Sequence, residues 1–287
     1  MKIRKSVIFI TSFTLVLIAV TYLLFFEDSE FNDINGEIIL MIGDSAFSTP
    51  IIFYNPQEDT LEENRGIYYF PQYNVNNSEH LIAVTDEGSG QSIYEVTSSM
   101  YDNTQNNLLY SDDDLSHPKF VPGKNAISYI KNSDELYYYD LGTGSHLLVG
   151  FINVFSQYDW LNSSTVLYTD KQNDLNIMAY DIENDEKYIY KENAIDPSLS
   201  INKDFLAYKS ADERNIVYLE NLVTNEVASV NIGERFASSY KPSPDGKYIL
   251  VVTTKNSESD VVIYNIETGN SRTVIESYFP SVVDWKD

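Results

Sequence analysis

The sequence predicts an all-β six-bladed β-propeller of four-stranded antiparallel blades, preceded by one N-terminal transmembrane helix. Three observations lead to this fold class: an uncharged apolar segment near the N-terminus, a β-rich unit that recurs every 40 to 45 residues, and a C-terminal tail that matches the start of that unit. The chain has 287 residues, of which 43% are hydrophobic and 14% aromatic. It can therefore bury a sizeable core.

The first predicted element is a membrane anchor over residues 6–26, SVIFITSFTLVLIAVTYLLFF, which contain no charged residue. At about 1.5 Å per residue, a helix of this length matches a hydrocarbon core of roughly 30 Å. A cleaved signal peptide is the alternative, but its apolar region usually ends in small residues at the cleavage site, and the bulky, acidic residues 25–28 follow here.

The charges around this segment predict its orientation. The tail 1–5 is basic and residues 27–35 are acidic, which favours a cytoplasmic N-terminus and an extracytoplasmic body. We therefore expect a single-pass protein of the cell membrane. Residues 27–35 form a polar linker, and the propeller spans 36–287.

The body repeats a unit in which a β-rich run ends in an aromatic residue, a polar residue and a turn. A period of this length made of short strands is typical of propeller blades, because a single four-stranded sheet cannot bury both faces without neighbours. The stretch KPSPDGKYILVV at 241–252 and its counterparts predict the first hairpin of each blade. The six copies have spacings of 40, 45, 41, 40 and 44 and are marked by Asn55, Glu95, Asp140, Asp181, Asn221 and Asn265.

The two ends of the body predict how the ring closes. Only two apolar runs precede Asn55, so the first blade lacks its innermost strand. The tail SYFPSVVDWKD matches the inner-strand stretch of the other blades. We therefore predict that residues 280–287 complete the first blade and cover an edge that would otherwise be exposed.

YKPSPDGKYILVVTT, followed by DVVIYNIETGNSRTVI, resembles the repeat of the TolB-like, WD-repeat-related propellers of bacteria. In that repeat a Ser-Pro-Asp-Gly turn precedes a strand and an aromatic-Asp-Leu-x-Thr-Gly stretch follows. The resemblance is clearest over 239–275 and extends to 118–149, 70–98 and 197–230. It implies a six-bladed binding platform and no catalytic residues.

Composition excludes several classes of function. The chain carries 19 basic and 43 acidic residues, a formal net charge of −24, so binding to nucleic acid or to anionic lipid headgroups is disfavoured. Cysteine is absent, which excludes disulfides, thiol catalysis and thiolate metal sites. We expect a monomer that binds a protein or peptide partner.

The candidate binding residues lie in the loops that surround one end of the predicted axial channel. These loops are acidic, so they favour a basic segment of a partner or a cation such as Ca²⁺. The alternative is that they are acidic only because the whole chain is. The candidates are Asp86, Glu87, Asp112, Asp113, Asp114, His117, Asp134, Asp170, Asp174, Asp196 and Asp212.

Catalysis is the rival hypothesis. The three histidines, His80, His117 and His146, are far apart in this register, so a three-histidine metal site is not expected. A glycan- or peptide-processing hydrolase or lyase that uses mouth carboxylates as acid and base remains open. A structural module stabilised by Ca²⁺ is a third hypothesis.

Overall fold

The computed structural model describes residues 31, 33–42, 51–64, 68–86, 88, 90–97, 106–153, 156–173, 175–256, 258–277 and 280–286. In this part of the chain, strands form six four-stranded antiparallel sheets, the blades of a propeller. The predicted six-bladed fold is therefore confirmed. The predicted anchor 6–26 lies outside the described residues, and none of the described residues belongs to a helix long and apolar enough to span a membrane.

Each blade runs from an innermost strand near the axis to an outer strand at the rim. Blade one contains β1 (Glu37–Ile42), β2 (Ile51–Asn55) and β3 (Thr60–Asn64), and blade two contains β4 (Tyr68–Tyr73), β5 (His80–Asp86), β6 (Gln91–Thr97) and β7 (Asn107–Asp112). Blade three contains β8 (Leu115–Phe120), β9 (Ala126–Lys131), β10 (Glu135–Asp140) and β11 (His146–Phe151). Blade four contains β12 (Tyr158–Trp160), β13 (Thr165–Thr169), β14 (Ile177–Asp181) and β15 (Glu186–Lys191).

The remaining two blades and the closing strand follow the same order. Blade five contains β16 (Ala194–Leu199), β17 (Phe205–Ser210), β18 (Ile216–Asn221) and β19 (Val227–Asn231). Blade six contains β20 (Phe236–Pro242), β21 (Tyr248–Lys255), β22 (Glu258–Asn265) and β23 (Ser271–Ser277). The last strand, β24 (Pro280–Lys286), is the innermost strand of blade one.

The C-terminal strand closes the ring as predicted. β24 pairs antiparallel with β1, and Trp285 lies opposite Ile38. The Trp285 indole is fully buried and its Nε1 donates to the carbonyl oxygen of Asn35 at 3.0 Å. Because β24 pairs with β1 on one side and β2 pairs with it on the other, β1 has no open edge.

The marker residues cap the turn between the third and fourth strands. In blade six, the Asn265 side-chain oxygen accepts hydrogen bonds from the backbone N–H groups of Glu267 and Thr268, at 2.9 and 3.1 Å. Such Asx turns hold the chain in a tight hairpin. The same arrangement recurs at Asn55, Asp140, Asp181 and Asn221.

Blade two departs from the predicted register. Glu95 lies opposite Ile82, two residues inside β6, and Thr97 takes the position that the other markers hold. The Glu95 carboxylate instead accepts from Asn74 Nδ2 and lies 3.0 Å from His80 Nδ1. With Thr97 as the marker, its distances to Asn55 and Asp140 become 42 and 43 residues, so the repeat is more regular than the sequence pattern suggested.

The hydrophobic core is divided among the contacts between neighbouring blades. Six apolar clusters each join residues of two adjacent blades, as expected for sheets stacked face to face around an axis. Part of the predicted linker belongs to this core, because Phe31 and Ile34 are buried between blades six and one. The packed body therefore includes residues that the sequence pattern assigned to the spacer.

Candidate functional site

The inner strands carry bulges that aim side chains at the axis. In β4, β8 and β16 the pairing register shifts at an Xaa–Pro dipeptide. The residues before these prolines, Phe70, His117 and Asp196, have φ angles of 53°, 49° and 56°. A positive φ is costly for a side-chain-bearing residue, and bulges of this kind are enriched next to binding sites because they redirect a side chain.

Hydrogen bonds from the next blade hold the bulges in two places. The Tyr158 hydroxyl of blade four donates to the carbonyl oxygen of His117 at 2.6 Å. The Tyr240 hydroxyl of blade six donates in the same way to the carbonyl oxygen of Asp196. The backbone conformation of each bulge is therefore fixed by the neighbouring sheet.

A cavity of about 940 Å³ opens at this end of the axis. Phe70, His117 and Asp196 all line it, so the three strained positions face one space. Its volume lies at the upper end of the usual range for ligand pockets. The Phe236 side chain, which is 52% exposed, also lines the cavity and is free to contact a ligand.

Six residues, one from each innermost strand, occupy equivalent register positions near the floor of this cavity. Four of them line the cavity, whereas the two aspartates are not part of its lining. In blade order from blade one to blade six, these floor residues are Asp284, Gln72, Lys119, Asp159, Ser198 and Lys241.

The floor residues repeat after three blades as Asp, amide or hydroxyl, Lys. Asp159 and Asp284 each precede one of the two tryptophans of the chain and accept a hydrogen bond from its backbone N–H. Each also accepts from a backbone N–H of the next blade, Leu199 at 3.0 Å and Tyr73 at 2.8 Å. The two aspartates are therefore held alike on opposite sides of the axis.

Among the described residues, both aspartates pair with lysines, Asp284 with one and Asp159 with three. Asp284 pairs with Lys241 at 2.9 Å, and Asp159 lies 3.1, 3.5 and 3.6 Å from the ammonium nitrogens of Lys203, Lys241 and Lys119. Burial alone would raise the pKa of Asp159, but the three lysines outweigh burial and hold that pKa well below its usual range. The Asp159 carboxylate is therefore placed to remain charged.

His117 is a titratable group of the cavity whose pKa is strongly affected by burial. Its Nδ1 is buried without a hydrogen-bond partner among the described residues, and its ring lies 4.2 Å from that of Phe70. Burial, together with the charge of Lys119, lowers the pKa of His117 to about 4. The imidazole is therefore neutral at physiological pH.

Of the residues predicted from the sequence to form a site, the structure brings three to the cavity: Asp114, His117 and Asp196. Asp114 is exposed, and its carboxylate accepts a hydrogen bond from Ser133 at 3.3 Å. Asp196 is buried and pairs with Lys209 at 2.8 Å. His117 lies on an inner strand and not in an exposed loop.

The other predicted residues surround the cavity without belonging to its lining. Asp112 pairs with Lys131 at 2.5 Å, and this lysine, with the Tyr110 hydroxyl, lowers the pKa of Asp112 to about 2. Asp134 pairs with Lys171 at 2.7 Å. The side chains of Asp86, Asp170 and Asp212 accept hydrogen bonds from Gly88, Gln172 and Asn193, and Asp113 is exposed. Glu87 and Asp174 lie outside the described residues.

Sequence reasoning missed the basic residues of the cavity. Lys119, Lys209, Lys241 and Arg214 line it, against two acidic side chains, so its described wall carries more positive than negative groups. A signal was available, because lysine follows directly after the inner-strand proline in HPK at 117–119. Counting acidic residues in loops did not detect it.

No metal site emerges from the described residues. Within them, no group of three or more His, Cys, Asp or Glu side chains could hold a metal ion. The carboxylates of Asp159, Asp196 and Asp284 are instead paired with lysines.

Comparison with known proteins identifies the fold. No protein-family model and no curated protein matches the chain. TolB from Acinetobacter baumannii superposes with a TM-score of 0.65 at 15% identity, covering 88% of this chain and 67% of that one. A putative TolB from Agrobacterium tumefaciens gives 0.59 at 10% identity, over 88% and 99% of the two chains. A chain of a nidogen/laminin complex gives 0.60 at 9% identity, over 86% and 98%. The chain thus has the TolB-like six-bladed propeller fold.

Proposed function

We propose that this chain is a membrane-anchored, extracytoplasmic binding module whose axial cavity takes a peptide segment of a protein partner. The observation that carries the proposal is the convergence of three strained inner-strand residues, Phe70, His117 and Asp196, on one cavity. Backbone strain persists where the surrounding structure enforces it, and it concentrates at binding sites.

The chemistry of the cavity suits a peptide. Aromatic side chains, Phe70, Tyr158 and Phe236, offer apolar contact surface. Serine, asparagine and glutamine side chains between them offer hydrogen bonds that a peptide backbone can use. A cavity of about 940 Å³ has room for a few residues of an extended segment.

The loops around the cavity support the idea of a partner with basic flanking residues. Asp86, Asp113 and Asp212 are exposed there, in a chain whose formal net charge is −24. Exposed carboxylates of this kind accelerate the association of a positively charged partner. The nidogen/laminin structure, which contains a chain of this fold, is itself a protein complex. We take the chain to act as a monomer.

The binding test compares full-length chains in native membranes. Wild type, Phe236→Ser and Val223→Ser chains are crosslinked, and the captured proteins are identified. Val223 is the matched control, because it is 74% exposed and lies in the β18–β19 turn, outside the cavity lining. Peptides that tile the captured partner are then titrated into each chain.

We expect wild type and Val223→Ser to capture the same partner and bind the same peptide, and Phe236→Ser to lose both. Equal capture and equal peptide affinity for all three chains would refute binding in the cavity.

The anchor is tested by topology. We expect the full-length chain to fractionate with membranes and its body to be digested by protease added from outside intact cells. A chain that lacks residues 1–26 should not fractionate with membranes. Protection of the body in intact cells would overturn the extracytoplasmic location.

A further inference from the structure

The floor of the cavity holds one more positive charge than it can balance. Within the part of the chain that the structure describes, Lys119, Lys203 and Lys241 contact only two carboxylates, those of Asp159 and Asp284. The side chains of Lys241, Asp159 and Asp284 are 6% exposed or less, so water screens this cluster poorly. A buried excess charge is unfavourable unless a further group compensates it.

The excess originates at a position where the two halves of the ring differ. Lys203, in the β16–β17 turn of blade five, lies 3.1 Å from Asp159. The corresponding turn of blade two, residues 74–79, contains no lysine. Asp284 therefore has one lysine and Asp159 has three.

Lys119 is the lysine that this competition leaves poorly paired. Its ammonium nitrogen lies 3.6 Å from Asp159, whereas Lys241, at the equivalent position, lies 2.9 Å from Asp284. The same Lys119 nitrogen lies over the ring of Tyr158, whose centroid is 5.5 Å away. Burial, opposed by Asp159 but aided by the neighbouring lysines, lowers the pKa of Lys119 to about 8.

A negatively charged group could reach the two floor lysines from the cavity. Lys119 and Lys241 line the cavity together with the Gln72 amide and the Ser198 hydroxyl, whereas Asp159 and Asp284 do not. Both ammonium nitrogens lie within 3.6 Å of the same Asp159 oxygen, so they are close to one another. An incoming group thus meets two ammonium groups, an amide and a hydroxyl.

We propose that the cavity floor is a carboxylate-binding site, in which Lys119 and Lys241 bind an acidic side chain or the C-terminal carboxylate of the peptide. The assignment of the carboxylate to a peptide rests on the proposed function; the site itself does not. One carboxylate supplies the single negative charge that is missing, whereas a phosphate dianion would exceed it. Charge-assisted hydrogen bonds to ammonium groups are among the strongest that such a ligand can form.

The test uses the full-length chain with ¹³C-labelled lysine and follows the lysine methylene resonances by NMR. Sodium acetate is the probe, sodium chloride at equal ionic strength is the reference, and sodium phosphate is the competing anion. Lys119→Gln assigns the resonance and removes one of the two proposed carboxylate-binding ammonium groups. Lys124→Gln is the matched control, because Lys124 belongs to the same blade but pairs with Glu183 at 2.7 Å, outside the cavity lining.

We expect acetate to shift the Lys119 resonance saturably and to raise the pKa of the Lys119 ammonium group. Phosphate should have a smaller effect, and chloride should change the resonance only through ionic strength. Lys119→Gln should weaken acetate binding at least about tenfold, a loss typical of one charge-assisted hydrogen bond. Lys203→Gln should also weaken it, because that change removes the excess charge. Lys124→Gln should bind as wild type does.

Two results would overturn the carboxylate site: an acetate response equal to that of chloride, or acetate binding unchanged in Lys119→Gln. Preferential binding of phosphate would replace the carboxylate with a phosphate ligand. These outcomes are independent of peptide capture. Saturable acetate binding without any captured partner would refute the proposed function alone, and capture without acetate binding would refute this site alone.

Discussion

Lys241 of blade six lies 2.9 Å from Asp284 of blade one, so an ion pair joins the two ends of the ring at its innermost strands. Asp284 also accepts a hydrogen bond from the backbone of Tyr73 in blade two at 2.8 Å. One carboxylate of the closing strand thus contacts both neighbouring blades. The pKa of Lys241 is raised by Asp284 and Asp159 in spite of burial, so this lysine remains charged in the folded chain.

Neutralising this carboxylate should loosen the closure. We expect Asp284→Asn to lower the free energy of unfolding by about 3–5 kcal/mol, because it leaves the Lys241 ammonium buried beside a single, longer contact to Asp159. Urea denaturation measures the change. Glu183→Gln is the control, because Glu183 is 59% exposed in its pair with Lys124. We expect this substitution to lower the free energy of unfolding by no more than about 0.5 kcal/mol. Equal costs for the two variants would show that the buried pair does not stabilise closure.

The two tryptophans should contribute equally to the stability of the folded chain. Trp160 and Trp285 follow the two equivalent aspartates, are 1% and 0% exposed, and donate from Nε1 to Ser128 and to the Asn35 carbonyl. We expect Trp160→Ala and Trp285→Ala each to cost about 3–5 kcal/mol in urea denaturation. A Trp285 variant that lost much less than the Trp160 variant would mean that the C-terminal strand adds little to the ring.

Acid should destabilise the chain through His117. The folded-state pKa of this residue is about 4 and that of the unfolded chain is about 6.5. As pH falls between these values, the unfolded chain binds a proton that the folded chain does not, so stability falls with pH. The slope from this group is at most about 1.4 kcal/mol per pH unit.

The measurement compares wild type with His117→Phe by urea denaturation at pH 7.5 and pH 5. We expect the stability of wild type relative to the variant to decrease at pH 5, because phenylalanine has no proton to bind. A difference between the two proteins that is the same at both pH values would contradict the lowered pKa.

Chelation should leave the fold unchanged. The carboxylates Asp112, Asp134 and Asp196 are bound by lysine ammonium groups at 2.5 to 2.8 Å, which already supply the positive charge that Ca²⁺ would bring. We expect the melting temperature to be the same with EDTA and with millimolar CaCl₂, since a ligand stabilises only if it binds the folded chain. A higher melting temperature with CaCl₂ that EDTA reverses would establish a Ca²⁺ site.

The fold was predictable because its determinants are local and recur. Asn221 and Asn265 each cap a hairpin with their own side chains, so their spacing in the sequence measures the size of a blade. The one misplaced marker, Glu95, occurred where β6 continues two residues further before turning. A strand's length depends on its pairing partner, and the sequence pattern does not contain that information.

The candidate site was predictable only at its edge. Asp114 and Asp196 lie in stretches that read as loops around the axis, and both reach the cavity. Lys119 and Lys241 lie within strands, and their importance comes from their contacts with Asp159 and Asp284 of the next blade. The sequence pattern of a strand does not show whether a lysine within it contacts solvent or a carboxylate of another blade.

The amino-acid sequence by itself determined the number of blades, the use of the tail to complete blade one, and the acidic character of the chain. These follow from repeated turns and strands and from a count of charges, each of which depends on neighbours in the chain. Only the tertiary structure decided that the cavity floor is basic and carries one unbalanced charge. That property arises from residues of blades three to six and blade one, distant in sequence, whose charges interact because the ring brings them together where water is excluded.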